Sequence, residues 1–130
     1  MERLRAKLAV AAKANLRLLE AVRLPDPSEL ERDAIIQRFE FTFEALWKAA
    51  QYYLFVVEGL DIASPKGVIR ACREVGIFNE EESMLALKMA DDRNLTVHTY
   101  NEVLAVAIYQ RILKYQGLLA AWQERMEVKV

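Results

Sequence analysis

The sequence is poor in everything that interrupts a helix or builds a crosslinked or metal-bound core. Four glycines and three prolines punctuate 130 residues, and two of the prolines fall together in Leu24-Pro25-Asp26-Pro27. Few breakers mean few, long elements, and helices are the expected class. The single cysteine, Cys72, cannot form an internal disulfide or, with the single histidine, a Cys/His metal site. No Gly-rich phosphate loop and no nucleophile–base pair built on serine is visible, so neither a metal nor a cofactor is expected. No apolar run approaches the roughly 20 residues needed to span a bilayer, and the N-terminus lacks a signal-peptide apolar region. The formal charge is −1, from 18 basic and 19 acidic residues. No global basic field therefore draws the chain to nucleic acid or anionic lipid, and a polyanion must be met by a local patch. Together these absences favour a soluble, cytoplasmic protein without membrane partners.

What is present is apolar and charged. Hydrophobic residues make up 54% and charged residues 28%, a balance that folds rather than remaining disordered. The length fits one domain, residues 1–130, with a real core. Leu4, Leu8, Ala12, Asn15, Leu19 and Val22 recur every three or four residues, predicting an amphipathic helix over about 2–23. Ser28-Glu-Leu-Glu31 reads as a capping box for a second helix. Within it Phe39-Glu-Phe-Thr-Phe-Glu44 alternates like a strand. However, Ile36, Phe39, Phe43, Leu46, Trp47, Ala50, Tyr53, Leu54 and Val57 hold one helical face, and the flanks decide for helix. Phe41, Ala45, Tyr52 and Phe55 form a second apolar stripe. A helix apolar on two sides is either central in its bundle or at an oligomer interface. The interface is the favoured reading, with Phe41, Tyr52 and Phe55 as its candidates in a homodimer.

Ser64-Pro65 predicts the start of a short third helix reaching about Val75, and acidic residues in a first turn open a fourth from Glu80 to about His98. Thr99-Tyr-Asn-Glu102 reads as another capping box. It starts a fifth helix that turns Val103, Ala107, Ile108, Ile112, Tyr115, Leu119, Trp122 and Met126 inward. The fold class is thus all-α: an up-and-down four-helix bundle with one short additional helix, five in total.

The chemistry is crowded into Asp91-Asp-Arg-Asn-Leu-Thr-Val-His-Thr-Tyr100, which holds the only histidine. A helix running to His98 places Asn94 and His98 at i and i+4 on one face, with Arg93 one residue around. A neutral imidazole exchanges protons near pH 7, and a guanidinium holds a phosphate or a developing phosphorane charge. Those are parts for metal-independent attack of an RNA 2′-hydroxyl on its own phosphate. One histidine supplies half of an acid–base pair, and a two-fold dimer supplies the other half. On the residues alone a bland reading has the advantage: His98 complements a helix C-terminus while Arg93 pairs with Glu102, Asp91 or Asp92.

Arg93-x4-His98-x-Tyr100 resembles the R-x4-H-x-Y signature of HEPN domains. Ile36-Gln-Arg-Phe-Glu-Phe-Thr-Phe-Glu44 with Trp47-Lys48, then Ser64-Pro-Lys66, then Asp92-Arg-Asn-Leu-Thr-Val-His-Thr-Tyr100, resemble in that order the subgroup called nucleotidyltransferase substrate-binding proteins. The resemblance covers about residues 33–115. It departs at Met84-Leu85, ahead of the Asp92-Arg93-Asn94 block, where the pattern often carries a tryptophan. It implies a homodimeric helical bundle that partners a minimal nucleotidyltransferase, in many pairs as a ribonuclease toxin whose motif lines a cleft between the subunits. Arg93, Asn94 and His98 are then the catalytic candidates, and Tyr100 is the residue the partner would adenylylate. The alternative is a non-catalytic subunit that presents substrate to the nucleotidyltransferase, which the near-neutral charge favours. Lys66, Arg70 and Arg73, at i, i+4 and i+7, are candidate contacts to an RNA or nucleotide phosphate, or else one solvated helix face. Cys72 reads as packed, and Glu40, Thr42 and Glu44 as ion-pair or dimer contacts.

Overall fold

A computed structural model describes all of residues 1–130. Helices α1 (Glu2–Val22), α2 (Glu29–Glu58), α3 (Pro65–Glu74), α4 (Glu80–Leu95) and α5 (Glu102–Val128) form the chain, with a 3₁₀ turn at Thr96–His98 between α4 and α5. The helical starts are written locally. Ser28 and Asn79 each accept from the backbone N–H three residues on, and Glu31 and Glu82 reciprocate as acceptors for the cap N–H groups. Ser64 caps α3, with Pro65 at its first position. Gly59 ends α2 in the left-handed region at φ 71°, where a side chain is strained.

Cross-helix contacts fix the directions. Arg38 donates to the Arg17 carbonyl and Thr42 to that of Ala14, so α2 runs back along α1. Arg93 reaches Glu40 from α4, and Asp92 and Glu82 meet Arg111 and Arg125 of α5 in reversed order. The topology is therefore up-down-up-down. Helices α2 and α5 run parallel and touch each other, with Phe39 stacked on Tyr115 at 5.8 Å between ring centroids. Helix α1 covers one side of that pair, while α3 and α4 cover the other. One core of 31 buried hydrophobic residues results, closed by Phe78 against Trp122 where α4 begins and α5 ends.

Centrality accounts for much of the double stripe on α2. Ala45 and Tyr52 pack on the core, while Phe41 and Phe55 stay exposed. Other expectations are corrected. Helix α1 buries Ala11, Leu18 and Ala21 rather than Ala12, Leu19 and Val22. A helix that must fit both α2 and α5 turns its small alanines inward, where backbones approach. Val103 is exposed instead of buried, because α5 is only in its first turn there and has not yet come under α2. The fourth helix stops at Leu95, short of His98. The Thr96 hydroxyl donates to the Arg93 carbonyl, and the Thr99 hydroxyl donates to that of Thr96. These side chains compete for carbonyls that an α-helix would use. Thr99 is thereby spent, and Asn101, in extended geometry, caps α5 in its place.

Arg125 ties the start of α4 to the end of α5, donating to both Glu82 carboxylate oxygens and to the Ile77 carbonyl. The hydrogen bond from Arg125 and then that from the Asn79 N–H hold the Glu82 carboxyl below its ordinary value of 4.5. Stability from this pair is fully present above that value and is lost as pH falls through the lower folded-state value. Urea midpoints should drop from neutral pH to below 4.5, and Glu82→Gln should lower the neutral midpoint while flattening the acid limb. An unchanged acid limb in Glu82→Gln would remove this pair from the pH response.

Candidate functional site

The α4–α5 joint is built around a carboxylate. Asp92 is 3% exposed, and Arg111 grips it with two bonds, Nε at 2.7 Å and an Nη2 bond at 2.8 Å. The Tyr115 hydroxyl donates to the same carboxylate. Burial, and next the Asp92 acceptor, push the Tyr115 phenol well above its ordinary range, so it remains a donor. Hydrogen bonding to Asp92 likewise raises Arg111. The sequence held this cluster in view without revealing it: Arg111 and Tyr115 are i and i+4 on the inward side of α5, a polar pair beside an apolar stripe.

With Asp92 pinned inward, the next residue is turned to the rim. Arg93 accompanies Asn94 in a cleft of about 500 Å³ with Phe43, Glu44 and Trp47 of α2 and Ser64-Pro65-Lys66 at the start of α3. The Arg93 guanidinium donates to the Thr96 hydroxyl at 3.2 Å and lies 3.8 Å from Glu40. Its Nε is buried with no partner. The three acids that could have neutralised it are engaged elsewhere: Asp91 with Lys66, Asp92 with Arg111 and Glu102 with Arg32. Glu44 accepts from the Trp47 indole N–H, fixing that ring in the cleft wall. Gly67 leaves room for the Ser64 cap: a Cβ there would stand 2.8 Å from Ser64 Oγ and 2.9 Å from the Ile62 side chain.

The remaining motif residues stand outside this cleft. His98 and Tyr100 are exposed and face each other edge to face, with the Tyr100 hydroxyl 3.4 Å from His98 Nδ1. The 3₁₀ turn advances roughly 120° per residue instead of 100°. It carries His98 about 60° beyond the face it would share with Asn94 in a continued α-helix. Lys66 lines the cleft, whereas Arg73 pairs with Glu80 and Arg70 points to solvent from α3. Cys72 is fully buried, and burial pushes its thiol up to about 12. It is packing, not a nucleophile. No three His, Cys, Asp or Glu side chains converge as a metal site, and no helix is long and apolar enough to cross a membrane.

Residues 6–128 match the family described as nucleotidyltransferase substrate binding protein like. The chain belongs to that family. The resemblance drawn from Arg93-x4-His98-x-Tyr100 and the blocks before it therefore holds for nearly the whole chain. A protein of solved structure from Thermus thermophilus is 59% identical over 89% of this chain and 98% of its own, with a TM-score of 0.86. A chain from a crystal structure of a toxin–antitoxin with AMP-PNP shares the fold at 17% identity. It covers 95% of this chain and 96% of its own, with a TM-score of 0.71. No curated protein matches this chain.

Removing the pinned carboxylate should be costly. Asp92→Ala leaves Arg111 half-buried without its counter-charge and should lower unfolding free energy by about 3–5 kcal/mol. Tyr115→Phe removes one bond to a charged acceptor, for about 1.5–3 kcal/mol. Urea unfolding measures both, and losses well below about 1 kcal/mol in each would show that the joint does not depend on the cluster.

Proposed function

We propose that this family member is a HEPN-type partner of a minimal nucleotidyltransferase and the ribonuclease toxin of a toxin–antitoxin pair. The observation that carries the reading is the presentation of all four motif residues at the α4–α5 joint. Arg93 and Asn94 are presented in a cleft with Lys66, while His98 and Tyr100 stand free on the next turn. The shared fold with a chain from a toxin–antitoxin structure supports it.

In this reading Arg93 and Lys66 hold the non-bridging oxygens of an RNA phosphate, and Asn94 holds a ribose hydroxyl. The opening of α3 adds its partial positive charge at the same cleft. His98 takes the proton of the 2′-hydroxyl as its oxygen attacks phosphorus, and the bond to the 5′-oxygen breaks. His98 of a second copy returns a proton to that leaving oxygen. The dimer needed for this uses the exposed apolar residues beside the motif, Val97 and Val103. Phe41, Tyr52 and Phe55, of which Phe41 and Phe55 are exposed, offer the other face through which two copies could meet.

Tyr100, 85% exposed, is open to a modifying enzyme. Attack of its hydroxyl oxygen on the α-phosphorus of ATP would expel pyrophosphate and leave AMP on the ring. The adduct places a phosphodiester charge beside His98 and replaces the hydroxyl that faces Nδ1. One observation favours the alternative of a non-catalytic substrate-binding subunit: within a single chain, His98 does not reach the cleft of Arg93.

The tests separate the two. The wild type should be a dimer by light scattering, and Val103→Glu a monomer without activity. Arg93→Ala should slow RNA cleavage by about 10²–10³ and His98→Ala by about 10²–10⁴, with melting temperatures unchanged. The cognate nucleotidyltransferase with ATP should add AMP to Tyr100 and silence the wild type, and Tyr100→Phe should escape both. A wild type that binds RNA without cleaving it, and a Tyr100 that is never modified, would establish the non-catalytic reading.

A further inference from the structure

A second cleft lies one turn further along α2, between α2 and the start of α1. It has a volume of about 390 Å³ and is lined by Arg3, Lys7, Lys48, Gln51, Tyr52, Phe55 and Asp61. Arg3 and Lys7 both lie against the Tyr52 ring, at 5.1 and 5.7 Å from its centroid. Two like charges sharing one ring repel each other, and neither has an ion-pair partner. Lys48, the third cation of the cleft, has none either. Asp61, the one acid lining the cleft, is in ion-pair contact with none of the three.

The rest of the cleft suits a base rather than a bare anion. Phe55 is 56% exposed, an aromatic face that nothing in the chain covers. Gln51 is fixed by the bond from its Nε2 to the Ile62 carbonyl, which leaves its Oε1 as an oriented acceptor. An exposed ring for stacking, an oriented amide for an edge and three uncompensated cations for a phosphate are the parts of a nucleotide site. We infer that this cleft binds a nucleotide unit, either free or within single-stranded RNA. The base lies on Phe55 and the phosphate between Arg3, Lys7 and Lys48. Glu44 and Trp47 line the first cleft and Lys48 and Gln51 the second, so the two are offset by about one helical turn, ~5.4 Å, along α2, the first facing α3 and α4 and the second α1. The site itself does not depend on cleavage.

The test uses the intact protein carrying His98→Ala, so that RNA persists whether or not the wild type cuts it. AMP binding is measured by calorimetry, and binding of a fluorescent single-stranded RNA of about ten nucleotides by anisotropy. Phe55→Ala should weaken AMP about five- to a hundred-fold, the range of one base–aromatic stack. Lys48→Glu should weaken both ligands at least about tenfold and reduce the salt dependence of RNA binding. Both side chains are on the surface of the cleft, so melting temperatures serve as the folding control. Competition of AMP against the RNA assigns the site to a strand, and AMP binding without RNA binding assigns it to a free nucleotide. Absence of AMP binding, or binding indifferent to both substitutions, overturns the inference. So does inorganic phosphate competing as well as AMP while Phe55→Ala is silent, because the cleft would then be an anion patch without a base site.

Discussion

The buried carboxylate of Asp92 is the constraint on which the functional end of the molecule depends. A carboxylate taken out of water must be compensated by a charge and by hydrogen bonds. Arg111 and Tyr115 do this from one face of α5. The bond network fixes the rotation of α4 about its own axis, since Asp92 can point only at α5. Arg93, one residue on, is thereby committed to an edge about 100° around, where Glu40, Thr96 and the start of α3 receive it. Without that pin, Arg93 would be one more mobile surface cation.

The same end of the bundle shows why helix and turn divide the motif. Threonines at 96 and 99 draw the chain out of α-geometry through their own hydroxyls. The tighter turn delivers His98 and Tyr100 to the surface instead of the cleft. A cation held in a pocket and an imidazole–phenol pair standing outside it, beside exposed Val97 and Val103, form the arrangement that the proposed dimer would complete. Exposed apolar residues beside polar chemistry are what an interface with catalytic contents would require.

How much of this was legible in the sequence follows from the range of the interactions involved. The all-α class, the five helices, the capping box at Ser28 and the Ser64-Pro65 start depend on residues three or four apart, and periodicity reads those. The end of α4 was misread because Thr96 and Thr99 win carbonyls by side-chain competition, which hydrophobic spacing does not register. On α1 Leu4, Leu8 and Asn15 are buried as expected, while Ala11, Leu18 and Ala21 replace their C-terminal neighbours, since two packing partners widen the buried face. The partners of Arg93 and Asp92 lie 53 and 19 residues away along the chain. No local pattern could rank Glu40 over Asp91, Asp92 and Glu102. Arg93, Asn94, His98 and Tyr100 stood out because they are crowded in a motif. The Arg3–Lys7–Tyr52 cluster did not, because the packing of α1 on α2 assembles it.

In the proposed reaction the polar groups around Arg93 and His98 act on RNA through the substrate's own 2′-hydroxyl. The most direct measurement is the chemistry of the cut ends, determined by mass spectrometry on RNA incubated with the purified wild-type protein in EDTA. Fragments ending in a 2′,3′-cyclic phosphate, with 5′-hydroxyl ends on the other side of each cut, are the expected result. Fragments ending in a 3′-hydroxyl, or cleavage that appears only when Mg²⁺ is supplied, would contradict it.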